Sequence, residues 1–70
     1  MVVYILTTND EDGVTSVSAY STPEKAIEKA NAYYYDRCEE YGGGVVEESG
    51  TSFFGQVGEW SVLVSPVILQ

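Results

Sequence analysis

Ser21-Thr22-Pro23-Glu24-Lys25-Ala26-Ile27 opens the stretch that decides the fold, and Tyr41-Gly42-Gly43-Gly44 closes it. Thr22 can accept a hydrogen bond from a free first-turn amide, and Pro23 suits the first helical position, where its missing N–H costs nothing. Ser21 and Glu24 also have capping-box spacing, which would start the helix one residue earlier. Ala26, Ile27, Ala30, Tyr34, Cys38 and Tyr41 follow. Counted from Ile27, the last four lie 3, 7, 11 and 14 residues on, one face at helical period. Gly42 is the natural left-handed stop. The spacing predicts a helix over 23–41 with that face buried.

Outward from the helix, both flanks read as strand. Residues 2–8 are β-branched, aromatic or aliphatic throughout and read as a central strand covered on both faces. Asn9-Asp10-Glu11-Asp12-Gly13 is a turn, and the more polar residues 14–20 complete a hairpin. After the helix, Val45-Val46-Glu47-Glu48 is too short to decide between strand and loop. Residues 51–57 carry Phe53 and Phe54, and Gly58-Glu59 is a second turn. Trp60, Val62 and Val64 then alternate with Ser61, Leu63 and Ser65, with Leu63 breaking an otherwise polar face. Pro66 interrupts, and Val67-Ile68-Leu69-Gln70 is an apolar tail. The expectation is an α+β fold, one helix packed on an antiparallel sheet in ββαββ order, with residues 1–70 forming a single domain.

The 70 residues carry 3 Lys+Arg against 11 Asp+Glu and no His, a net charge of −8, with 44% hydrophobic residues. That much apolar sequence argues against a disordered acidic tail. A core this small rarely supplies more than about 3–5 kcal/mol unaided. One cysteine precludes an internal disulfide and a Cys/His zinc cluster. The apolar start lacks the basic flank and cleavage site of a signal peptide, and no run approaches a membrane span. The charge opposes direct binding to nucleic acid or anionic lipid and suits a basic protein partner. A cytoplasmic protein is expected.

Little in the chain supports catalysis. Cys38 lies roughly 20° from Ile27 on the helical wheel, on the face expected to be buried. It has no histidine to activate it, and a serine triad fails for the same reason. Asp10, Glu11 and Asp12 share one turn, but the twelfth position counted from Asp10 is Ser21, where a calcium loop needs a bidentate Glu. Gly42-Gly43-Gly44 follows the helix, whereas a phosphate loop must precede one. Glu39-Glu40 and Glu47-Glu48 are adjacent pairs whose side chains diverge rather than face each other across a cleft. No enzyme activity, cofactor or metal is expected.

The helix edge is more informative. Glu24, Glu28 and Glu39 fall near roughly 60°, 100° and 120° from Ile27, with Tyr35 near 80°. Glu24, Glu28, Tyr35 and Glu39 therefore form a candidate partner-binding flank about 22 Å long. Asp10, Glu11 and Asp12 would join it if the hairpin turn lies on the same side. Six of the nine aromatics are tyrosine, a residue favoured at interfaces. An alternative assigns Phe53, Phe54, Trp60 and tyrosines to a ligand pocket between subunits of a homo-oligomer. Val67, Ile68 and Leu69 are a candidate homodimer interface, because Pro66 should keep the tail from prolonging a central strand.

Val3-Tyr4-Ile5-Leu6 together with Val17-Ser18-Ala19-Tyr20-Ser21-Thr22-Pro23-Glu24-Lys25-Ala26 resembles short bacteriophage accessory proteins, in which a hairpin leads into a helix opening S-T-x-E-K-A. The likeness covers about half of the chain and contains no functional residue. In size and acidity the chain is also similar to phage anti-defence inhibitors, including anti-CRISPR proteins. The resemblance implies a non-enzymatic inhibitor, acting in the host cytoplasm on a basic surface of a nucleic-acid-processing or defence complex.

Overall fold

A computed structural model describes residues 1–69. Strands β1 (Val2–Asn9) and β2 (Thr15–Tyr20) form the first hairpin, α1 (Pro23–Tyr41) follows, and β3 (Val45–Glu48), β4 (Phe53–Val57) and β5 (Trp60–Ile68) complete the chain. One helix packs on a five-stranded antiparallel sheet of order β2-β1-β5-β4-β3. The fold is α+β, and residues 45–48 are its third strand. The first and last strands are neighbours, in register from Val2 opposite Ile68 to Asn9 opposite Ser61.

Helix α1 begins and ends where its local chemistry requires. Thr22 is extended (φ −129°), and its side chain accepts from the Lys25 amide at 3.4 Å. Gly42 takes a left-handed conformation (φ 86°) and donates its amide to the Cys38 carbonyl at 2.7 Å. That geometry is strained for any residue with a Cβ.

The core lies between α1 and one face of the sheet. Ala26, Ala30 and Tyr34 pack on Leu6, Phe53, Val57, Trp60, Val62 and Val64. The two alanines let the helix approach closely, and Tyr34 fills the space that remains. Its ring lies over Gly55, where a Cβ would stand 2.7 Å from Tyr34 Cδ1. Phe53, Val62 and Val64 are the largest fully buried side chains, each worth about 1.5–3 kcal/mol of transfer free energy. The weight of the core therefore rests on β4 and β5.

Four expectations change in detail. The buried stripe of α1 centres on Ala30, so Ile27 and Cys38 are half-buried at its edge and Tyr41 is 54% exposed. Strand β1 is covered on one face only, because the single helix cannot cover both. Strand β5 continues through Pro66, which pairs with Tyr4. The proline is tolerated because β5 pairs with β4 only as far as Val64. Past that point β5 has one neighbour, the condition proline requires in a sheet. The tail thus prolongs β5 along β1, and the Leu69 amide reaches the Met1 carbonyl at 2.8 Å.

Candidate functional site

The topology brings three loops to one end of the sheet. Asn9 pairs with Ser61, Val57 with Trp60 and Val45 with Gln56. Hence the 10–14 turn, the 58–59 turn and the 42–44 loop lie at one end, and α1 terminates there too. On these loops and the last two turns of the helix stand seven carboxylates: Asp10, Glu11, Asp12, Asp36, Glu39, Glu40 and Glu59. Arg37 is the one cation among them, so this pole holds six of the chain's eight net negative charges. The free carbonyls at the helix C-terminus add further negative potential, and the last turn has no basic residue to offset it.

Two of the seven carboxylates are committed to structure. Asp10 Oδ1 accepts from the amides of Asp12 (2.9 Å) and Val14 (3.0 Å), which builds the turn from within. Glu11 bends back to the helix. It accepts from the Tyr41 hydroxyl at 3.2 Å and lies 3.7 Å from Arg37 Nη1. The Arg37 guanidinium in turn stands 5.5 Å from the Trp60 ring centroid. Glu11, Arg37, Tyr41 and Trp60 thereby tie the hairpin turn to the end of the helix. The ion pair is open to solvent and contributes at most about 1 kcal/mol. The hydrogen bond to Glu11, then the charges of Glu11 and Glu40, raise the Tyr41 hydroxyl above its ordinary value. The adjoining Cys38 side chain, with some desolvation, raises Tyr34 likewise.

The side chains of Asp12, Glu39, Glu40 and Glu59 are exposed, with no hydrogen bond or ion pair among the described residues. Tyr35 and Glu39 line a shallow open depression with Asp36, Gly42 and Gly43. A narrower groove of about 370 Å³ runs between the helix and the first hairpin. Hydroxyls of Thr8, Ser16 and Ser18 line one wall, and Tyr33, Asp36 and Arg37 line the other. No three His, Cys, Asp or Glu side chains among the described residues converge to hold a metal ion. No helix among them is long and apolar enough to cross a membrane.

The flank expected from the helical wheel is present and divided. Glu24, Glu28, Tyr35 and Glu39 are all exposed, Tyr35 at 65%. Glu24 and Glu28 stand beside Lys25 and Lys29, so that end of the helix is locally neutral. Glu39 and Tyr35 belong to the acidic end. The Asp10–Asp12 turn meets the helix at Arg37 and Tyr41, away from Glu24 and Glu28. Sequence reading overlooked Asp36, Glu40 and Glu59 as parts of one surface, because only the strand order makes Glu59 a neighbour of Glu11. Within one chain Phe53, Phe54 and Trp60 do not line a common pocket. Phe53 and Trp60 are 1% and 3% exposed in the core, whereas Phe54 lies on the opposite face of the sheet. Val67, Ile68 and Leu69 are 40%, 71% and 47% exposed.

Compared with family models, curated proteins and solved structures, the chain finds no match.

Proposed function

We propose that this chain is a non-enzymatic interaction protein, which seats its acidic pole on a basic surface of a nucleic-acid-processing or defence complex and blocks that surface. The observation that carries the reading is charge segregation: six of eight net negative charges at one end, most of them free of internal partners. A charge of −8 spread evenly would favour solubility and little else. Concentrated at one end, it orients the molecule as it approaches a positive groove and raises the association rate. Tyr35, largely exposed beside the pole, adds the kind of aromatic area that slows dissociation. The partner surface is one that otherwise holds phosphate, since such surfaces are the commonest dense cationic grooves. The resemblance to phage accessory proteins points to a host complex as its owner.

The test reverses charge at three exposed, unpaired positions, Asp12→Lys, Glu40→Lys and Glu59→Lys together, after circular dichroism confirms the fold. Wild type on a resin should retain a basic partner from host lysate at about 50 mM salt and release it at several hundred millimolar. The triple variant should not retain it, whereas a Glu24→Gln, Glu28→Gln variant should. Equal retention by wild type and the triple variant would remove the pole from the binding surface.

A further inference from the structure

Among the described residues nothing packs on the sheet face turned away from α1. An antiparallel sheet that faces water on one side normally places polar residues there. Here the outward positions include Val3 and Ile5 on β1, Val17 on β2, Phe54 on β4, and Leu63 and Val67 on β5. Val17, Leu63, Val67 and Phe54 are 64%, 45%, 40% and 36% exposed. Thr7 lies between Val17 and Leu63, and Ser65 between Leu63 and Val67. Val17 stands opposite Thr7, Thr7 opposite Leu63, Leu63 opposite Phe54, and Val3 opposite Val67. Among the described residues the one charged side chain on this face is that of Glu47, on the edge strand opposite Phe54.

We infer that this face is covered by the same face of a second copy of the chain, giving a two-fold sandwich of two sheets with the helices outside. Charge selects this occupant. A chain of net charge −8 meets its copy with least repulsion where charge is sparse, as on this nearly neutral face, and a self-complementary face is what a two-fold contact requires. A basic partner would find a single carboxylate here, Glu47, to pair with. The area also suits a dimer. The two larger extents of the molecule, 39 × 23 Å, bound the plane of the sheet. That rectangle, roughly 900 Å², is the most the face can offer, so reaching the ~800 Å² per partner of a stable interface takes nearly all of it. Sheets packed this way lie about 10 Å apart with strands some 30° from aligned.

Charge also selects the orientation. A two-fold axis between the sheets runs either along the strands or across them. The first sets the two acidic poles side by side, and the second sends them to opposite ends. The first leaves them about one sheet spacing, ~10 Å, apart, and the second separates them by the length of the sheet, several times the ~8 Å screening length of physiological salt. The dimer is therefore a particle with an acidic pole at each end. Of the three tail residues, Val67 lies on the shared face. Ile68 points to the opposite side of the sheet, since neighbours on a strand alternate.

Sedimentation equilibrium from 5 to 500 µM in 0.15 M salt tests this. Wild type should sediment at twice 7.7 kDa. Val17→Lys and Leu63→Lys should each raise the dimer dissociation constant about 100-fold, because each buries two unpaired ammonium groups per dimer. Ile68→Lys should leave it unchanged. If Leu63→Lys fails to fold by circular dichroism, Val17→Lys decides alone, since β2 is an edge strand and Val17 is the more exposed. A wild-type monomer at 500 µM, or a dimer unmoved by Val17→Lys and lost in Ile68→Lys, overturns the inference.

Discussion

Gly55→Ala is the sharpest probe of how the helix meets the sheet. The added methyl would lie 2.7 Å from Tyr34 Cδ1, and 3.2 Å from both Phe53 Cε1 and Val62 Cγ1. None of these can yield cheaply. Tyr34 is 6% exposed and packs edge-on against Phe53 at 6.2 Å, while Phe53 and Val62 are fully buried. Overpacking of this kind costs about 1–3 kcal/mol. Gly55 has no positive φ, so alanine would also narrow the unfolded ensemble and return roughly 0.4–1 kcal/mol. The net expectation is a loss of about 1–2 kcal/mol. In a domain of this size that lowers Tm by about 5–15 °C. Thermal melts followed by circular dichroism measure it. The Tyr34→Ala background supplies the control, because without the ring only the 3.2 Å contacts with Phe53 and Val62 remain and the cost of Gly55→Ala should shrink. An unchanged or raised Tm for Gly55→Ala in the wild-type background would refute the close approach of Tyr34 to β4.

Thr22→Ala should cost about 1 kcal/mol, the usual effect of a lost helix cap, read as a lower urea midpoint with unchanged slope. Tyr41 should be among the last tyrosines to ionise on raising pH, since its value is elevated by Glu11. A hydroxyl elevated in the folded state contributes stability that is complete below its ordinary value of 10.0 and is lost as pH rises through the folded value. Glu11→Gln should therefore bring one tyrosine to earlier ionisation in a 295 nm titration; an unchanged curve would mean that the hairpin turn does not touch the helix end.

The helix was legible in residues 21–44 because every signal there is local: a cap, a proline, a period and a glycine stop. Its bounds, Pro23–Tyr41, match the expected ones. The strands were legible where they alternate. The fate of Val45–Glu48 was not, because four residues exposed along their whole length carry no alternation to read, and pairing with β4 alone makes them a strand. Pro66 misled for a related reason. Its tolerance depends on where β4 stops beside β5, a fact of register that no property of the proline encodes. The acidic flank was half legible. Periodicity places Glu24, Glu28, Tyr35 and Glu39 on one exposed ridge, but it cannot add Glu59 and Glu11, which neighbour each other only because β1 and β5 are adjacent strands. Leu63 was visible as an irregularity. Its meaning required knowing that Val17 and Phe54 share its side of the sheet.

The two surfaces respond to salt in opposite senses, and this separates them without any mutation. Capture of a basic partner by the pole is an attraction between unlike charges, so it weakens as salt shortens the screening length. Pairing of two sheet faces is apolar contact opposed by repulsion between two chains of −8 each, so it strengthens under the same change. Between 0.01 M and 0.15 M salt the screening length falls from about 30 Å to about 8 Å. At the lower salt the repulsion spans the whole dimer, and at the higher it is confined to each pole. The dimer dissociation constant should therefore fall on the order of tenfold as salt rises over that range. Sedimentation at the two salt concentrations measures it. A dimer that tightens as salt is removed would mean that opposite charges meet across the interface. The face supplies only Glu47, so such a dimer would have to join through Lys25, Lys29 or Arg37, and the apolar face would be left without its occupant.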